Sequence, residues 1–176
     1  MFVSIVVLCC DERVNALEKR LREILQRVTF SYELIYVFRS RSIYLEKRPT
    51  DHAKFVCVQN FFGTRKQTEK VFQEITGDYV VVLSPNIEKS PFYMLDSLEL
   101  IQTKDYDVVT IVGDVLPYSV VQKWFLKVKK ILFPTNVFYV CKKEVLALKV
   151  EQKDMTHCSI YYLPYELENK SANENG

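Results

Sequence analysis

Ser84 and Asn86 flank Pro85 directly after the apolar run Val80–Leu83. A serine hydroxyl and an asparagine amide each donate and accept hydrogen bonds but bring no charge to a ligand. A short run of β-branched residues bounded by Gly77-Asp78 and Pro85 is what a strand buried on both faces looks like. In an open α/β sheet, ligands bind outside the carboxyl ends of such strands, where Ser84 and Asn86 fall. The same two residue types also form turns around a proline, and the residues alone leave both readings standing. A basic segment, Arg39-Ser40-Arg41-Ser42, follows the run Leu34–Phe38 in the same way, as ligand contacts or as solvated loop charges. Asp11-Glu12 follows Val3–Leu8, where Asp11 can cap a helix and Glu12 can either face a ligand or favour the helix dipole.

The elements that would position these residues alternate. Val3–Leu8, Leu34–Phe38, Phe55–Val58, Val80–Leu83 and Val108–Val112 read as strands. Helices are predicted from Val14, Leu17, Leu21, Ile24, Leu25 and Val28, from Val71, Phe72 and Ile75 behind a Thr64/Gln67 capping box, and from Ser90-Pro91 with Leu95, Leu98 and Ile101 on one side. Gly77 reads as the left-handed cap of the second helix. Alternation of this kind predicts a Rossmann-like α/β fold, a mostly parallel sheet flanked by helices with right-handed crossovers.

Composition bounds the rest. The chain has 176 residues, 48% hydrophobic and 26% charged, and reads as one domain over 1–167 followed by a polar, disordered tail over 168–176. A net charge of +2 gives no global attraction to nucleic acid. No apolar run approaches the ~18 residues that cross a bilayer, and Met1–Ile5 lacks the features of a signal peptide. Cys9, Cys10, Cys57, Cys141 and Cys158 form no metal-binding pattern and read as reduced thiols, which places the chain in the cytoplasm. His52 and His157 read as surface or core residues. No Gly-x-Gly-x-x-Gly or Walker-type loop follows any strand.

Residues 120–133 differ in kind. Val121, Trp124, Phe125, Val128, Ile131 and Leu132 make one helical face, with Lys123, Lys127, Lys129 and Lys130 away from it. Such a helix either packs on the sheet with its lysines in solvent or lies peripherally on an anionic membrane surface.

In order along the chain, Val-Ser-Ile-Val-Val with Asp11-Glu12, Tyr-Glu-Leu-Ile-Tyr-Val, Asn60-x-x-Gly63, Gly-Asp-Tyr-Val-Val-Val-Leu and Tyr-Asp-Val-Val resemble the family 2 glycosyltransferases of GT-A fold. Phe133-Pro-Thr-Asn-Val-Phe-Tyr-Val-Cys-Lys-Lys-Glu-Val-Leu146 is similar to a segment of the dolichol- or polyprenyl-phosphate sugar transferase branch. The resemblance spans roughly residues 3 to 165. It implies a nucleotide or nucleotide sugar as ligand and sugar transfer, to a lipid phosphate or another acceptor, as activity. It also implies an Asp-x-Asp metal motif where this chain has Ser84 and Asn86, a nucleotide-contacting aspartate in the region of Phe38–Arg41, and an arginine at Tyr139. Hard cations want charged oxygen ligands, so manganese or magnesium binding is expected to be lost or weak.

Two readings follow from these departures. In one, Arg39, Arg41, Arg65 and Lys66 face a diphosphate directly beside Glu12, Ser84 and Asn86, with Asp11, Glu12 or Asp114 as the base. Lys123, Trp124, Lys127 and Lys130 would then lie on the membrane or acceptor side. In the other, the fold persists without chemistry, as a module that binds a protein partner or a membrane surface.

Overall fold

In the computed structural model of the chain, the structure describes residues 1–9, 14–38, 53–58, 65–84, 90–112, 137–151, 153, 155 and 157–163. They form β1 (Phe2–Cys9), α1 (Val14–Leu25), β2 (Ser31–Phe38), β3 (Ala53–Cys57), α2 (Arg65–Glu74), β4 (Tyr79–Leu83), α3 (Ser90–Lys104), β5 (Val108–Val112), β6 (Val137–Lys142), α4 (Lys143–Val150) and β7 (Ile160–Leu163). The strands make one seven-stranded sheet in the order β3-β2-β1-β4-β6-β5-β7. Every pairing is parallel except those of β6, which runs against both β4 and β5. The mostly parallel sheet expected from the alternation is therefore present. The antiparallel β6 and the edge strand β7 were not expected. β6 lies inside the stretch read as a family motif rather than as a strand.

Continuous apolar strands dictate two covered faces. Val3 and Ile5 to Leu8 are inaccessible to solvent, and alternate side chains enter opposite cores. Val3, Ile5 and Val7 meet Val14, Leu17 and Leu21 of α1 and Met94, Leu98 and Ile101 of α3. Val6 and Leu8 belong to the core formed with Val71 and Ile75 near α2 and with Val145, Leu146 and Val150 of α4. Helices thus cover both sides of the sheet.

Two local expectations are corrected. Leu95 is 40% exposed, and the buried stripe of α3 runs Met94, Leu98, Ile101, the four-then-three spacing of one helical face. Among the described residues no glycine has positive φ, so Gly77 is not a left-handed cap. Its role is close approach: a Cβ there would stand 2.5 Å from the Ser4 amide nitrogen and 2.9 Å from the Phe2 carbonyl oxygen. Among the described residues the left-handed one is Asp105, at φ 55°, immediately after α3.

Polar groups pin the amino-terminal ends of the parallel strands. Glu33 on β2 is 7% exposed, and its Oε1 accepts from Ser4 Oγ on β1, from Thr76 N at 2.7 Å and from Thr76 Oγ1 at 2.8 Å. Lys54 Nζ on β3 lies 2.9 Å from Glu33 Oε2 and donates to the Glu74 carbonyl at 2.7 Å, at the end of α2. Gly77 N donates to Ser4 Oγ at 2.8 Å. Burial alone would raise the Glu33 pKa. The bonds from Ser4, Lys54 and Thr76 outweigh it and hold the carboxyl at about 2. Toward the other edge, Lys142 Nζ joins Asp105 at 2.7 Å and Asp107 at 3.1 Å, and Asp107 Oδ2 accepts from Ser159 N and Oγ at 2.9 and 3.0 Å.

Candidate functional site

The carboxyl ends of the parallel strands lie side by side. Cys9 at the end of β1 is paired with Phe38 at the end of β2, and Phe38 with Cys57 at the end of β3. Leu83, the last residue of β4, is opposite Val7 of β1, and Ser84 follows it. Val112 at the end of β5 is opposite Val137, where β6 begins. The chain therefore leaves β1, β2, β3, β4, β5 and β7, and enters β6, along one margin of the sheet, with Leu163 at the end of β7 opposite Ile111 of β5. Ligands of open α/β sheets bind at this margin. The pinned polar clusters of Glu33 and Lys142 stand at the other.

Ser84 is the one predicted site residue whose side chain is described. It is 0% exposed, the continuation of a strand whose Val80, Val81, Val82 and Leu83 are also 0% exposed, and it interacts with the rest of the chain. Its hydroxyl belongs to the protein interior. Arg65 and Lys66 are the first two residues of α2, on its backbone, with their side chains outside the description. Asp11, Glu12, Arg39, Arg41, Asn86, Asp114, Lys123, Trp124, Lys127 and Lys130 lie outside the described residues, as do the Asp11 and Thr64 helix caps and the 168–176 tail.

The described strand ends are uncharged. Their residues are Cys57, Phe38, Cys9, Leu83, Ser84, Val112, Leu163 and, where β6 begins, Val137, and Cys9 is 4% exposed. Any charge that meets a ligand there must come from the connecting segments, the usual arrangement when a rigid scaffold carries its chemistry on loops. Tyr139, the position matched to a family arginine, is wholly buried in the core on the α2 and α4 side. Burial holds its hydroxyl far above the usual tyrosine value, so it stays neutral and structural. Tyr36 is similarly raised, first by burial and then by the Glu18 carboxylate, which accepts its hydroxyl at 3.2 Å.

Sequence reasoning missed the Glu33 cluster. The signal was present as isolated polar residues inside strand runs: Ser4, Glu33 and Thr110 are all buried. Each is satisfied, Thr110 by donating to the Phe138 carbonyl at 2.7 Å. Among the described residues no group of three or more His, Cys, Asp or Glu side chains is placed to hold a metal.

No protein-family model matches the sequence, and no curated protein matches it. Solved structures do match the fold. Glucosyl-3-phosphoglycerate synthase from Mycobacterium tuberculosis, in complex with Mn2+, uridine diphosphate and phosphoglyceric acid, superposes with a TM-score of 0.59 at 14% identity, over 92% of this chain and 67% of that one. A mannosyltransferase from Pyrobaculum calidifontis with GDP-mannose and Mn2+ gives 0.53 at 12% identity, over 92% and 54%. The chain has the GT-A fold of nucleotide-sugar transferases. A CMP:2-keto-3-deoxy-manno-octonic acid synthetase complexed with CTP shares this GT-A fold, with a TM-score of 0.56 at 9% identity over 93% of this chain and 89% of that one. The chain thus spans about half the length of the mannosyltransferase and two thirds of the synthase. Among the described residues no helix is long and apolar enough to cross a membrane.

Proposed function

We propose that the chain is a nucleotide-sugar-binding domain of glycosyltransferase type, similar to the polyprenyl-phosphate branch of family 2, in which metal-dependent transfer is lost or altered. The observation that carries this reading is the convergence of six strand ends on one margin of a GT-A sheet. A second feature supports an anionic ligand. α2 opens on Arg65-Lys66 with no acid in its first turn, so two cations stand where the helix dipole already favours negative charge. That is a poor choice for the helix alone and a sound one for a diphosphate.

In this reading Arg39, Arg41, Arg65 and Lys66 meet the diphosphate, Glu12, Ser84 and Asn86 border the nucleotide, and Asp11, Glu12 or Asp114 supplies the base for an acceptor hydroxyl or phosphate. Lys123, Trp124, Lys127 and Lys130 face an acceptor at a membrane surface. A second reading, a non-catalytic module that binds a protein partner or membrane on the same scaffold, is favoured by the strand ends themselves, which carry no charge.

Thermal shift with uridine and guanosine diphosphates and their sugars separates the two. A ligand at a hundred times its Kd stabilises by about 2.7 kcal/mol, and Arg39→Ala or Arg41→Ala should abolish the shift. No shift with any nucleotide removes the first reading.

A further inference from the structure

We propose that the end of β4 holds no divalent cation, and that a nucleoside diphosphate taken up at this margin is bound without magnesium or manganese. The inference deepens the nucleotide reading above and rests on it. Similar folds have been solved in complex with both Mn2+ and a nucleotide or nucleotide sugar, and the residues here do not suit such an ion.

Three observations combine. Ser84 offers only a neutral hydroxyl, where a hard cation needs carboxylate or several concerted oxygens. That hydroxyl is on a residue with no solvent exposure, so an ion at Ser84 would have to shed its water. It would then face the desolvation penalty without a compensating charge. The neighbouring described strand ends cannot help, since Cys57, Phe38, Cys9, Leu83, Val112, Val137 and Leu163 include no carboxylate. In the nucleotide reading the diphosphate is then neutralised by Arg39, Arg41, Arg65 and Lys66, which do so without an ion.

The test titrates uridine and guanosine diphosphate calorimetrically into the full chain, once in EDTA and once in manganese chloride. Alongside it, the electron paramagnetic signal of manganese is recorded with and without protein. The Kd should agree within about twofold between the two buffers, and protein should leave the manganese signal unchanged. Weakening of about tenfold or more in EDTA overturns the proposal. If neither diphosphate binds, the nucleotide reading fails by itself and the manganese signal still decides the cation question. An unchanged signal supports an ion-free strand end, and so does quenching that survives Ser84→Ala. Quenching that Ser84→Ala relieves overturns it. Asn86→Ala repeats the comparison at the second neutral position of the sequence motif.

Discussion

Glu33 shows how one side chain can organise several elements. It gathers bonds from β1, from the turn before β4 and from the edge strand β3, all in one buried spot. Glu33→Gln weakens the bond to Lys54 and should lower stability by about 2 kcal/mol in urea denaturation, less than a fully buried pair because Lys54 is partly exposed. The pH dependence has a definite sign. The folded carboxyl sits at about 2, below its ordinary value, so its stabilisation is complete above that ordinary value. It is lost as pH falls through about 2. Urea midpoints of Glu33→Gln should therefore fall less steeply than wild type on acidification below pH ~4.3. Gly77→Ala tests the close approach. With φ negative there is no backbone strain to add, so a cost of about 1–3 kcal/mol would be steric, set against a gain of ~0.4–1 kcal/mol from stiffening the unfolded chain. A neutral Gly77→Ala would show that β1 and the turn before β4 can move apart.

At the scale of elements, α3 separates pattern from placement. Met94 is inaccessible and Leu95, the next residue, is 40% exposed. Met94→Ala should cost about 2–5 kcal/mol, while Leu95→Ala should stay within ~0.5 kcal/mol, read from chemical denaturation midpoints. Strand and helix identities were legible because apolar runs and helical spacing are local properties. The face a helix turns inward was legible only to within one residue, since Leu95, Leu98 and Ile101 keep helical spacing as well as Met94 does. β6 carries a local strand signal, an unbroken run of β-branched and aromatic residues that was absorbed into the family motif, but not its place in the sheet. Nothing local in Val137–Lys142 marks it as the antiparallel insertion between β4 and β5, which is a matter of long-range pairing.

At the scale of the molecule, the fold was readable and the site only in part. Alternating strands and helices specify two covered faces, and that architecture delivers the strand ends to one margin. Ser84 was placed correctly at a strand end, but its burial depends on the neighbours that enclose it, which no spacing reveals. Glu33 escaped because a single acid in a strand gives no sign of partners that arrive from residues 4, 54 and 76.

The position of β1 carries a consequence for how the chain is made. β1 lies in the middle of the sheet, between β2 and β4. Its first partner follows closely, whereas the second is not complete until Leu83 has been synthesised. At ~5–20 residues per second, one flank of this central apolar strand waits on the order of ten seconds for its neighbour. A nascent chain of this protein, halted before Tyr79, should recruit chaperones through that open flank, and release them once β4 has emerged to close it.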